Sequence, residues 1–332
     1  MFNNSTRTEE KTFIGIYDFS YAPYALGDVI TWQMNLCVKA GESGNRNIVQ
    51  YIIADPLRPS SYLQRYIMED NYIEYLNNLF PAFLCCPNTV SINFVKDKDI
   101  FDLFLLKKIF KDQPSWPSIM GHLSGKLDFI SHKAINKFFQ KYNCIPRLTS
   151  PKGYENSMDS FLKKRCRDRY IVTVNMRQRR LYPSPDEVNI AINRDSPLAE
   201  WYKFFKIVKD KHPDVVFLIL GGYSTWEREL YHHKNVIIPR TIGFGLSHEL
   251  TLLHKSDLFI GTSSGFSAMA TFSKIPYIIT NFDYAASRYI GLPVGTPKYP
   301  FGMEHQILSW ERESAELLLS LFESVYESIR KT

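Results

Sequence analysis

No apolar run in this chain approaches the roughly 20 residues that a membrane-crossing helix needs, so a helical membrane protein is not indicated. The first dozen residues, Met1 to Thr12, are polar and charged and lack the apolar stretch of a secretory signal. Cysteine is scarce. Cys37, Cys85, Cys86, Cys144 and Cys166 are odd in number and carry no metal-ligand spacing, which points to a reduced compartment rather than a disulfide framework. There is no internal repeat at fixed period and no low-complexity tract. We therefore expect a soluble cytoplasmic protein, with peripheral contact at the inner face of the membrane left open.

What the chain does have is apolar mass. Its 332 residues are 45% apolar, enough for one large or two ordinary α/β domains with a sizeable core. The charge is uneven. Between Lys133 and Arg180 thirteen bases face three acids, a local balance of +10 in a chain whose total is +6. Such a block suits a polyanionic partner: phosphate groups, an anionic membrane surface or nucleic acid. No aromatic-rich RNA motif accompanies it, so no nucleic-acid partner is expected. A plainly solvated face is the simpler alternative.

Strand-like and helix-like segments alternate. Phe13–Phe19, Ile48–Ile53 and Val90–Val95 read as strands, separated by helical stretches at Val29–Lys39 and near Tyr62–Phe80. After a linker at Arg165–Arg169 come strands Tyr170–Asn175, Val215–Leu220, Asn235–Ile238, Leu258–Ile260 and Tyr277–Thr280, again with helices between them. Right-handed crossovers then give parallel sheets. The expected fold is α/β, two Rossmann-like parallel-sheet domains facing a cleft. The expected division is 1–165 for an acceptor-side domain, 166–310 for a nucleotide-sugar-binding domain, and 311–332 for a helix packing back toward the first. Ligands of open α/β sheets bind at the carboxyl ends of strands. That rule directs the Tyr21–Asp28 loop, the Arg177–Arg180 loop, Arg240 and the Thr262–Gly265 turn toward the cleft.

Three constellations carry chemistry. In Leu26-Gly27-Asp28-Val29, Gly27 allows close backbone approach, and Asp28 at a helix start suits a general base; a simple helix cap is the alternative. In Asn175-Met176-Arg177-Gln178-Arg179-Arg180, guanidinium forks suit phosphate oxygens and the charge of a diphosphate leaving group; an exposed basic loop is the alternative. Arg240 reads in the same way. In Gly261-Thr262-Ser263-Ser264-Gly265, a serine-capped helix start favours an anion, with Gly265 admitting a ligand. That turn also matches G-x-S-x-G, with Asp283 and His305 in the chain order of an esterase triad. Glu249 suits hydrogen bonding to a ribose or sugar hydroxyl. Asp97-Lys98-Asp99 mimics a metal-binding D-x-D but reads better as a charged loop.

Leu26-Gly27-Asp28-Val29 and the Asp257–Gly265 turn resemble the heptosyltransferase-like group of GT-B glycosyltransferases. The arginine loop resembles the donor-phosphate arginine of fucosyltransferases. The resemblance covers about half of the chain and departs from the family's Asp-Ser-Gly at Ser263-Ser264-Gly265, so the heptose specificity is not carried over. It implies sugar transfer from a nucleotide-diphosphate donor to a glycan or lipid-linked acceptor, in surface glycan or polysaccharide assembly. The implied roles are Asp28 as catalytic base, Arg177 at the leaving group, and Gly27, Arg179, Arg180, Arg240, Glu249, Thr262, Ser263, Ser264 and Gly265 in substrate binding. No cofactor and no metal are expected. A pyruvyl-type transferase of the same architecture, or the esterase built on Ser263, Asp283 and His305, stands as the alternative.

Overall fold

The computed structural model describes residues 12–60, 64–106, 113–125, 131–178, 195–221, 226–282, 287 and 290–331. Alternating β-branched and aromatic residues with little polar relief make strands covered on both faces, the pattern of parallel sheets. The first sheet consists of β1 (Thr12–Asp18), β2 (Asn47–Ile53), β3 (Thr89–Val95) and β4 (Ser115–Trp116), in the order β3-β2-β1-β4 and all parallel. The second consists of β5 (Tyr170–Asn175), β6 (Val215–Ile219), β7 (Val236–Ile237), β8 (Leu258–Thr262), β9 (Tyr277–Thr280) and β10 (Gln306–Leu308). Its order is β10-β9-β8-β5-β6-β7, again parallel throughout. Numbered from its first strand this is the Rossmann order, and the direction of winding reverses between β5 and β8. In the first sheet the reversal falls between β1 and β4.

The helices are α1 (Leu26–Glu42), α2 (Tyr72–Leu79), α3 (Lys98–Leu106), α4 (Ile119–Leu123), α5 (Lys133–Tyr142), α6 (Glu155–Arg165), α7 (Leu198–Lys211), α8 (Arg228–His232), α9 (Leu246–Lys255), α10 (Gly265–Thr271) and α11 (Ala315–Lys331). Within the helical region expected near Tyr62–Phe80 lies α2, which is followed by a 3-10 turn, Phe80–Leu84, because Pro81 cannot supply the N–H that would continue the ladder.

The two sheets do not face each other across open space along their whole length. α1 and α10 pack together, and one hydrophobic cluster runs from Tyr17, Trp32 and Phe83 in the first lobe to Met269, Phe272 and Tyr277 in the second. Arg147, one member of the basic block, is part of this junction. Its guanidinium donates to the carbonyls of Ser273 and Phe301, each at 3.0 Å.

Among the described residues the main packing of α11 is within the second lobe. Its buried stripe Leu318, Phe322 and Val325 packs with Trp201 and Phe204 of α7 and Phe217 of β6. The apolar period of α11 meets the apolar face of α7, and each such large side chain contributes about 1.5–3 kcal/mol of burial.

Candidate active site

The carboxyl edge of the second sheet gathers the residues that can hold an anion. β5 and β8 are neighbours in register, with Asn175 opposite Gly261. Arg177 and Ser263 each follow two residues later, so they leave adjacent strand ends about 4.8 Å apart, on the two sides of the winding reversal. β6 ends at Ile219, two residues before Gly221, and β7 leads through Pro239 to Arg240, which completes the row.

Arg177 is half-buried. Its Nη1 is 4.0 Å from Asp195 Oδ1, too far for a hydrogen bond, and has no hydrogen-bond partner among the described residues. Arg240 donates from Nη2 to Glu249 Oε2 at 2.8 Å, while its buried Nε has no partner among the described residues. A buried guanidinium nitrogen left unpaired is costly, and an anion would satisfy it. Glu249 is fully buried, and desolvation pushes its carboxyl above the ordinary value against the opposing pull of Arg240 and the Gly221 N–H. Both its oxygens are occupied, Oε1 by the Gly221 N–H at 2.9 Å. Each oxygen thus already holds one donor from the protein.

The serine turn is also more self-contained than the sequence implies. Ser264 caps α10, but its own N–H donates to Ser267 Oγ at 2.6 Å, and the Ser263 N–H goes to the Thr280 carbonyl at 3.2 Å. Thr262 is fully buried. The hydroxyls of Ser263 and Ser264 belong to half-buried residues at the strand end. At Gly265 the space left by the missing side chain is taken by the first lobe. A Cβ there would stand 2.5 Å from Leu26 Cβ and 2.9 Å from Gly27 N, so its missing side chain lets the first lobe dock.

That docking puts the start of α1 against the turn. The N-cap is Ala25, not Asp28; Asp28 lies in the first turn, where a carboxylate suits the helix dipole. The carboxylate is half-buried and near the Tyr17 phenol, which burial first and the Asp28 charge next push well above its ordinary value. Arg179, Arg180 and Asp283 lie outside the described residues.

One cluster escaped the sequence reading. Lys98 Nζ is 2.8 Å from Asp18 Oδ2 and 3.1 Å from Asp102 Oδ2, and His122 Nε2 is 2.9 Å from Asp102 Oδ1. Asp18 ends β1 and accepts the Ser20 N–H at 2.9 Å, so the cluster pins the base of the loop leading to Asp28. Only the position of Asp18 at a strand's carboxyl end could have signalled it. Lys98 is thus buried between carboxylates while Asp99 pairs with Arg58, and both stand in the first turn of α3 rather than in the charged loop expected for Asp97-Lys98-Asp99. The esterase reading fails on topology. His305 precedes β10, so it sits at the amino edge of the parallel sheet, whereas Ser263 follows β8 at the carboxyl edge, roughly a strand length of 15 Å away.

No protein-family model matches the chain, and no curated protein matches it. Among solved structures it is similar to the glycosyl transferase family 9 protein of Veillonella parvula, with 11% identity, a TM-score of 0.58, and 96% of this chain and 97% of that one covered. It is likewise similar to the E. coli ADP-heptose lps heptosyltransferase II, with 9% identity, a TM-score of 0.53, and 96% and 99% covered. The chain therefore has the GT-B fold.

Proposed function

We propose that the protein is a glycosyltransferase that moves a sugar from a nucleoside-diphosphate donor to an acceptor hydroxyl. The observation that carries this reading is the pair of guanidiniums, Arg177 and Arg240, each with a buried nitrogen lacking a hydrogen-bond partner among the described residues, at the carboxyl edge beside the winding reversal. A diphosphate spans neighbouring strand ends and supplies the acceptor oxygens they lack. The names of the similar structures, a family 9 glycosyl transferase and an ADP-heptose heptosyltransferase, support the same class of donor.

In the reaction, the Asp28 carboxylate takes the proton of the acceptor hydroxyl as its oxygen attacks the anomeric carbon. The carbon–oxygen bond to the diphosphate breaks, and its electron pair leaves on the phosphate oxygen, where Arg177 and Arg240 stabilise the growing charge. Ser263 and Ser264 hydroxyls serve the same phosphates. One displacement inverts the anomeric centre, and the guanidiniums take the place of a metal. The acceptor is a glycan or lipid-linked saccharide in surface-polysaccharide assembly, on the cytoplasmic side. The exposed Lys163, Lys164, Arg165 and Arg167 at the end of α6 offer an anionic surface a place to bind.

The test is donor turnover with EDTA present. Asp28→Ala and Arg177→Ala should each lose at least about a hundredfold in rate, the scale of a lost base or of one lost charge donor. Near-wild-type rates in both, or dependence on an added divalent cation, would remove this mechanism.

A further inference from the structure

Arg240 starts from the wrong place to reach a diphosphate at the β5–β8 reversal. It follows β7, the edge strand, two strands out from β5. What brings its guanidinium inward is Glu249 on α9. The carboxylate is fixed to the end of β6 through the Gly221 N–H at 2.9 Å, and Arg240 Nη2 lies 2.8 Å from its other oxygen. The guanidinium is thus held against the β6 end, one strand from β5, and not at the sheet edge.

We propose that Glu249 is a positioning residue: it never touches the donor and acts by aiming Arg240 at the diphosphate. This deepens the transferase reading and rests on it. The chemistry requires a carboxylate and not merely a polar group of that shape. Both neighbours of Glu249 are donors, and both point into a site with no exposure. Only an ionised carboxylate offers an acceptor on each side. A glutamine in either amide orientation turns one N–H toward a donor, either Gly221 or Arg240, and the flexible arginine is the group that gives way. Because Arg240 keeps Nε for the ligand, the contact with Glu249 through Nη2 and the contact with phosphate through Nε use separate donors of one guanidinium and coexist.

The experiment measures affinities of ADP, GDP and UDP for wild type, Glu249→Gln, Arg240→Ala and the double variant, each first shown to be folded. The tightest of the three for wild type serves as the probe. Glu249→Gln should weaken that probe at least tenfold. In the Arg240→Ala background the same change should weaken it by less than twofold. A residue needed only for folding would show its loss in both backgrounds. Equal affinity of wild type and Glu249→Gln, or equal losses in the two backgrounds, overturns this inference while leaving the donor reading in place. Failure of all three nucleotides to bind wild type overturns the donor reading and this inference with it.

Discussion

Arg177 and Arg240 differ in what holds them. Arg240 is locked to a fully buried carboxylate, whereas among the described residues the carboxylate beside Arg177 is that of Asp195 at 4.0 Å, with both side chains of that pair partly exposed. Asp195 therefore competes weakly with any phosphate that approaches Arg177. Asn at 195 keeps the shape and removes the competing charge. Asp195→Asn should tighten nucleoside-diphosphate binding by about threefold to tenfold, roughly 1 kcal/mol for a partly screened pair. Calorimetric titration reads this directly, and weaker binding would mean that Asp195 orients Arg177 rather than opposing the ligand. Arg177 was legible in the sequence because it follows a strand. Glu249 was legible only as a polar residue near the cleft. Its true partners, Gly221 and Arg240, lie 28 and 9 residues away, and no local pattern encodes such a convergence.

At the scale of elements, the junction of α1 with α10 decides where Asp28 stands. Gly265→Ala would place a methyl within 2.5 Å of Leu26 Cβ and force the two helix starts apart. We expect a loss of roughly 1–3 kcal/mol in denaturant unfolding, typical of overpacking, together with a fall in transfer rate. Gly27→Ala is the control. Its new Cβ meets Gly265 Cα at 3.5 Å, ordinary contact, and should cost little. A tolerated Gly265→Ala would show that the lobes do not dock through this contact. The alternation of strands and helices was readable because parallel strands are continuous apolar runs, as in Val215–Ile219. Short elements such as β4, two residues long, and β10, three residues long, carry too little pattern to be seen. The sequence also suggested a ligand-admitting glycine at 265, because a glycine opened for a ligand and one opened for a helix look alike before the second lobe is placed.

Over the whole molecule, the lobes share one apolar cluster, and a titratable group is buried in their junction. His132 packs its ring against Phe272 and Tyr299, and burial pushes its pKa down to about 4. A histidine whose folded value lies below its unfolded value of about 6.5 binds a proton more readily when unfolded. Its contribution is fully present above about pH 6.5 and is lost as pH falls toward about 4, up to about 3 kcal/mol in all. Wild type should therefore lose more melting temperature over that interval than His132→Phe does, and parallel curves would place the acid-sensitive group elsewhere. The basic block, so prominent as composition, divides on folding. Arg147 is spent on the junction, while Lys163, Lys164, Arg165 and Arg167 remain on the surface.

The central claim is that Arg177 and Arg240 together grip a diphosphate at the winding reversal of the second sheet. Its most direct measurement compares nucleoside diphosphate with the matching monophosphate, titrated into wild type and into the Arg177→Ala/Arg240→Ala double variant. The account predicts a diphosphate preference of at least about a hundredfold in wild type that falls below about threefold in the variant, a loss of roughly 2–3 kcal/mol for two charge-assisted contacts. A preference of the same size in both proteins would contradict it.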